Sequence, residues 1–392
     1  MKLISYSFSN FQSFLNKAKV NLLFGKNGRE NSLAENGVNR MMLVAGPNGS
    51  GKTALLKPIM FMCWFISDSF YGDPDSRIPV IPHFSSMEQP STFSMHFLHD
   101  ESEWHYELAC SEERVLYEVL RRRDVRFRYV FVREWNTEKN VYQIRQQNFG
   151  FPAKDVSRVR KNASLISTAA QYNVPVAVSL RSALRERFFG NVNILGRGAV
   201  PSVFAAAEFF SENTSLHEAA SSLLSSWDMG LKNVTLREVV QQNLDGPEKQ
   251  HLFWLPVGIH SHNGQDYEVP FPMQASGTQA AFILLMWLLS ALKNGGIAVI
   301  DEIEKDLHPH MLRQILDLFL HDESNPLGAQ IIFTSHSLSI LNELHKSQIM
   351  LVEKNRNNES EAYRLDEMEG IRNDDNFYAK YMAGAYGAIP VF

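Results

Sequence analysis

Apolar positions along the first 150 residues recur mostly every second place. Residues 3–8 (Leu3-Ile4-Ser5-Tyr6-Ser7-Phe8) alternate and predict a strand, and 20–24 predict a second. After a proline-bearing connection (Pro74, Pro79, Pro82, Pro90), residues 92–98, 104–110, 115–120, 127–133 and 141–144 alternate between polar turns, the pattern of an antiparallel meander. Polar, glycine-bearing residues 26–40 predict an exposed loop. From about residue 155 the period lengthens. Residues 155–171, 177–190, 200–212, 214–228 and 235–244 carry helical spacing and helix formers, with Thr214-Ser215 and Asn233-Val234-Thr235 as helix starts. Strand character returns at 252–259 and 265–269. An apolar helix then follows Gly277, and buried strands are predicted at 297–300, 331–334 and 348–352. The fold expected is α/β, in three parts: an N-terminal lobe (1–150), a helical insertion (151–250) and a C-terminal lobe (251–392).

Composition narrows this little. The chain of 392 residues has a net charge of −5 and ordinary apolar and charged fractions, so no global field favours nucleic acid or membrane. Cys63 and Cys110 have no metal-ligand spacing and form no disulfide framework, which fits a reducing cytoplasm. Lys2 leads directly into a strand pattern, without a signal peptide. The apolar run at 282–292 is too short to span a bilayer, and 59–66 continues the helix opening at Thr53; both read as core helices.

The chemistry is concentrated at Gly46-Pro47-Asn48-Gly49-Ser50-Gly51-Lys52-Thr53. An apolar strand (Met41-Met42-Leu43-Val44-Ala45) enters it and helix formers leave it, so backbone N–H groups and a helix N-terminus converge on a polyphosphate. Lys52 supplies charge for the outer phosphates and Thr53 a hydroxyl for Mg²⁺. A second strand, Ile297-Ala298-Val299-Ile300, ends in Asp301-Glu302. At the carboxyl end of a buried strand Asp301 can hold Mg²⁺ beside Thr53, and Glu302 can act as general base on the attacking water. Glu304-Lys305-Asp306-Leu307-His308-Pro309 follows, and His336 comes after the next strand. Ser276-Gly277-Thr278-Gln279 opens the long apolar helix as a second anion-binding corner.

In that order, these motifs resemble the ABC/SMC class of ATPases, and within it the OLD- and RecF-like branch, whose pattern reads Asp-Glu-x-Glu-x-x-Leu-His-Pro. Three further segments are similar to AbiL-type (AAA15/AAA21) ATPases of bacterial abortive-infection and anti-phage gene pairs. They are Asn10-Phe11-Gln12-Ser13-Phe14, the run from Arg160 to Ser167, and the ending from Tyr381 to Pro390. The resemblance implies an ABC-type head: a mixed sheet around the loop helix, an antiparallel β lobe and a helical insertion. It implies ATP and Mg²⁺ as cofactors, and a homodimer or higher oligomer in which nucleotide is sandwiched between protomers. Ser276, Gly277, Thr278 and Gln279 would then reach the γ-phosphate in trans, Asp306 would shape the dimer contact, and His336 would hold or sense the γ-phosphate. The family's glutamine joining the lobes has four candidates here, Gln143, Gln146, Gln147 and Gln171. Gln12 stands where relatives often carry Arg.

The implied function is a nucleotide-switched component of an anti-phage system that controls a separate nuclease or toxin-like effector, docked on the helical insertion or the C-terminal segment. The alternative is a RecF/RecN-like DNA-repair ATPase activated by DNA. The run Arg121-Arg122-Arg123-Asp124-Val125-Arg126-Phe127-Arg128 sits at a hairpin tip, where it can meet nucleic acid but more readily forms a solvated or partner-binding face. The stretch from His336 to Phe392 has no Asp-x-Asp of the metal-binding nuclease domain that OLD proteins carry, so nuclease activity is not expected of it.

Overall fold

The computed structural model describes residues 1–24, 34–35, 37–227, 229–242 and 250–390. Strands β1 (Lys2–Ser9) and β2 (Ala18–Asn21) open the chain, and β3 (Met41–Ala45) runs through the loop into α1 (Lys52–Asp68). The meander is β4 (Ser91–His99), β5 (Ser102–Cys110), β6 (Val115–Arg123), β7 (Phe127–Asn136) and β8 (Val141–Gln146). Then come α2 (Leu165–Gln171), α3 (Pro175–Glu186), β9 (Phe188–Gly190), α4 (Val203–Glu212) and α5 (Thr214–Ser226). A hairpin sheet follows, β10 (Asn233–Gln242), β11 (Gln250–His262) and β12 (Gln265–Pro270). The chain continues through α6 (Ser276–Asn294), β13 (Ile297–Ile300), α7 (Pro309–Leu320), β14 (Gln330–Thr334), β15 (Ile349–Lys354), β16 (Ser360–Arg364) and α8 (Phe377–Met382).

The central sheet has the order β9-β13-β14-β3-β15-β16, parallel except for β16. Its strands are buried on both faces, and their alternation divides the interior. Met42, Val44, Val299 and Ile332 face a core shared with α1, α2, α3 and the antiparallel sheet β8-β7-β6-β5-β4-β1-β2. Met41, Leu43, Ala298, Ile300, Ile331 and Phe333 face the other core, under α4 to α8. The apolar helix α6 is long and apolar enough to cross a membrane by composition, but 61% of that window is buried in the fold.

Two helical expectations are corrected. Residues 235–244 were expected as helix, yet as far as they are described they lie in β10, whose Val234 pairs with Gly258 and Leu236 with Pro256. Arg237, Glu238 and the glutamines favour a helix, but Thr235, Val239 and Val240 are β-branched, and the long partner β11 decides. Asn233 caps no helix: its Oδ1 accepts from Ser221 Oγ at 2.6 Å. The end of the 177–190 helix is the edge strand β9, paired in parallel with β13. Nor do the helices of the insertion stand together: α2 and α3 join one core and α4 and α5 the other. The loop expected at 26–40 falls mostly outside the described residues; Ala34–Glu35 and Val38–Asn39 within it pair as a short hairpin.

The antiparallel sheet is tied to α2 by a buried ion pair. Arg133 Nη1 lies 3.3 Å from Glu118 Oε2, and both side chains are fully buried. Arg133 also donates to Ala163 O and Arg160 O, each at 2.7 Å. Glu118 accepts from Ser164 Oγ at 2.8 Å and from Leu165 N at 3.0 Å. The motif around Arg160 is thus a structural joint, with Ser164 also capping α2. Removing one ion strands the other in a dry interior. Arg133→Met should therefore lower unfolding free energy by about 3–5 kcal/mol in urea denaturation, and adding Glu118→Leu should restore only part of it, because Ser164 Oγ and Leu165 N then lose their acceptor.

Candidate functional site

The residues brought together are those at the carboxyl ends of β3, β13 and β14, the position where parallel sheets present ligand-binding groups. The loop from Gly46 to Gly51 leaves β3 and turns into α1, with Gly51 at φ 112°. A side chain at Gly51 would stand 2.5 Å from Ser360 Oγ and 2.9 Å from Ser13 Oγ, so the turn admits only glycine. Those two hydroxyls bond each other at 2.7 Å, and Ser360 Oγ donates to Ser50 O at 2.6 Å. The Asn10–Phe14 segment therefore serves as backing for the loop: Phe11 and Phe14 are core residues, and Asn10 Nδ2 donates to Gln89 O at 2.8 Å.

Lys52 is buried, and its Nζ donates to Gly46 O at 2.9 Å and Pro47 O at 3.1 Å. Burial pulls this ammonium below the usual lysine range, opposed by the charges of Asp301, Glu302 and Glu304. A polyphosphate at the loop would add to the groups that favour the charged form.

Asp301 is the junction. Its Oδ2 accepts from Thr53 Oγ1 at 2.9 Å and its Oδ1 from Thr334 Oγ1 at 2.7 Å. Its backbone is gripped from the far side: Asn191 Nδ2 donates to Asp301 O at 2.8 Å and Asn191 Oδ1 accepts from Asp301 N at 2.7 Å. A hydroxyl and a carboxylate in contact are a donor set suited to Mg²⁺, which keeps most of its waters. Among the described residues no cluster of three or more His, Cys, Asp or Glu side chains forms a protein-only metal cage.

Glu302 has a left-handed backbone, φ 53°, held by its N–H on Thr334 Oγ1 at 2.7 Å. A non-glycine residue there costs local energy that the neighbours must offset. One carboxylate oxygen pairs with Arg197. The other lies 3.7 Å from His336 Nε2. The His336 N–H donates to Glu304 Oε1, so His336 is seated by the segment that follows the two carboxylates.

Ser276 is exposed at the first turn of α6, with no side-chain cap, and Thr278 is buried. Gln279 Nε2 donates to Gln274 O at 2.9 Å. A Cβ at Gly277 would come within 2.8 Å of Asp306 O, so the α6 corner packs directly on the turn after Glu302. Asp306 is also left-handed, at φ 63°.

A cavity of about 620 Å³ opens beside the loop, lined by Asn48, Gly49, Lys354, Asn358, Ile389 and Pro390 among others. The C-terminal segment is held there by Glu353, whose Oε2 accepts from Ala388 N at 2.7 Å, and by Tyr363 OH on Tyr386 O at 2.7 Å.

None of the four glutamines considered in sequence makes a hydrogen bond to these groups; Gln146, for example, spends its amide on Phe151. Asn191 and Arg197 escaped sequence reading altogether. Their only signal was a short apolar run, Phe188-Phe189-Gly190, hidden at the end of a helical pattern.

This strand–loop–helix cradle facing an acidic strand end is the build of a nucleotide-hydrolysing ATPase domain of the AAA type. The chain belongs to the AAA_21 family, described as "AAA domain, putative AbiEii toxin, Type IV TA system", whose model matches residues 41–342. That places it among ATPase domains of abortive-infection, toxin–antitoxin type. Among curated proteins none matches the chain.

The double bond from Asn191 makes a specific prediction. Asn191→Ala leaves the buried N–H and C=O of Asp301 unpaired, at about 1–3 kcal/mol each. Thermal unfolding should show the loss, and Asn191→Asp, which sets a carboxylate oxygen against the Asp301 carbonyl oxygen, should lose at least as much.

Proposed function

We propose that this chain binds and hydrolyses ATP as an ABC-type head, and that two copies sandwich each nucleotide between the loop of one and the Ser276–Gln279 corner of the other. Residues 46–53 cradle the phosphates, Lys52 charges the outer ones, and Thr53 with Asp301 holds Mg²⁺. Bound there, Mg²⁺ would supply positive charge that offsets the charge of the phosphates. Glu302 takes the proton of the attacking water, and His336 contacts the γ-phosphate. The observation carrying this reading is the set of contacts that joins Thr53, Asp301 and Thr334 at the mouth of the loop.

The exposure of Ser276 supports the trans arrangement. Its helix turn has no side-chain cap on its first N–H groups, which leaves them for a phosphate of a two-fold related copy. The packing of Gly277 on Asp306 keeps this corner in step with the carboxylates of its own protomer.

In the cell the domain acts as the switch of an anti-phage, abortive-infection-like module, cytoplasmic, restraining or releasing a separate effector of nuclease or toxin type. The C-terminal segment beside the loop is positioned to carry occupancy outward to such a partner. The arginine hairpin tip argues less for DNA than its sequence suggested. Arg121 is paired with Glu107 at 2.7 Å and Arg123 with Glu103 at 2.7 Å, so part of its charge is already met.

Lys52→Ala should abolish ATP binding in calorimetry, and unchanged affinity would contradict the loop assignment. Glu302→Gln should bind ATP but turn it over roughly a hundredfold more slowly. With ATP this variant should sediment as a dimer, and Ser276→Arg added to it should return it to monomer while each copy still binds nucleotide. Co-purification with the product of the neighbouring gene tests the effector reading: a complex whose stability changes between ATP and ADP supports it.

A further inference from the structure

We propose that Arg197 is a phosphate-binding residue supplied in cis, which pairs with Glu302 and exchanges to the γ-phosphate when a triphosphate fills the loop. The proposal rests on the reading of residues 46–53 and 301–302 given above, and goes beyond it by adding a residue and a switching contact.

Three observations converge on this side chain. The first is its mounting. Arg197 ends a two-residue hairpin, Val192–Asn193 against Gly196–Arg197, whose turn is closed by Asn193 Oδ1 accepting from Leu195 N at 2.8 Å and Gly196 N at 3.0 Å. Gly198 N donates back to Asn191 O at 2.7 Å, and Asn191 clasps the Asp301 backbone. The hairpin also packs on α1, with Lys57 against Gly196. The guanidinium is thus delivered to the catalytic carboxylates by a mount fixed to the strand that bears them. The second is its hydrogen bonding. Arg197 uses Nη1 on Glu302, while its Nε is buried and has no partner among the described residues. A planar fork with unused donors suits a phosphate, which can take them in parallel. The third is the position of Glu302 between a guanidinium and an imidazole. Its two oxygens face Arg197 and His336, and its charge is felt at Lys52. A guanidinium seated on one carboxylate oxygen occupies the place that an attacking water would need there.

A γ-phosphate lying between Lys52 and Glu302 brings more negative charge than the carboxylate does, and it draws the guanidinium across. That frees the Glu302 oxygen. Water then attacks: its oxygen bonds to the γ-phosphorus, the bond to the bridging β,γ-oxygen breaks with its electron pair going to ADP, and the water proton passes to Glu302. With ADP no γ-phosphate competes, and Arg197 returns to the carboxylate. The exchange makes the site discriminate triphosphate from diphosphate within one protomer, before any partner arrives.

The test is discrimination in binding, read by calorimetry with Mg²⁺ and either ADP or the non-hydrolysable β,γ-imido analogue of ATP. Arg197→Ala should weaken the analogue about tenfold or more and leave ADP within about twofold, the loss expected for charged hydrogen bonds to the γ-phosphate. Turnover should fall by about a hundredfold or more. Arg197→Lys should recover part of the discrimination, and Arg197→Gln, which can still bond Glu302 but carries no charge, should not. Equal loss for both nucleotides, or undiminished discrimination in Arg197→Gln, would overturn the proposal, as would unchanged binding of both by a folded Arg197→Ala. Lys52→Ala separates the two readings: if it still binds the analogue, the loop assignment fails, whatever Arg197 does.

Discussion

Asp301 is the constraint on which the site depends. Four groups from three parts of the chain close on it: the Thr53 hydroxyl from α1, the Thr334 hydroxyl from β14, and both amide atoms of Asn191 from the segment after β9. All three belong to the central sheet or leave it directly, so the carboxylate cannot shift without disturbing strand register. Satisfying the buried backbone of Asp301 with a side-chain amide, rather than with another strand, leaves its side of the sheet open. That opening is where the Arg197 hairpin enters.

The loop geometry follows from the same economy. Ser13 and Ser360, distant in sequence, form a hydroxyl pair behind Gly51, and Ser360 also bonds the Ser50 carbonyl. The loop therefore has a backing on one side and a cavity on the other. The C-terminal segment forms part of that cavity's wall through Ile389 and Pro390, and Glu353 fixes it at the end of β15. Three strand ends and the chain's last described turn meet within one neighbourhood, so a change in the loop has a short path to the surface.

Much of this was legible in the sequence, for physical reasons that can be named. Strands buried on both faces, such as Ile297–Ile300, and the glycine-rich turn before Thr53 leave strong local signatures, and the meander alternates because only one of its faces meets the core. What stayed hidden was non-local. Residues of β10 carry mixed propensities that its pairing with β11 resolves, and the three residues of β9 are too few to show a period. Asn191 and Arg197 gain their meaning only from where β9 is laid against β13. No spacing rule marks an asparagine that will bond a backbone across the sheet, nor an arginine on a two-residue hairpin. The buried Glu118–Arg133 pair was invisible likewise, because alternating strands usually place charge outward.

The contact between Gly277 and Asp306 bears on how such a head could couple two sites. The α6 N-terminus and the turn that follows Glu302 touch so closely that a single methyl group would separate them. A displacement of the Glu302 turn toward α6 would therefore press on the Ser276 corner of the same chain. In a two-fold pair that corner would lie on the other copy's nucleotide. The state of Glu302 in one protomer, including whether Arg197 holds it, would then alter the γ-phosphate contacts in its partner. Coupling of this kind needs no long lever, because the two segments are already in van der Waals contact. It also explains why a glycine is required at a helical position where alanine would favour the helix by about 1 kcal/mol.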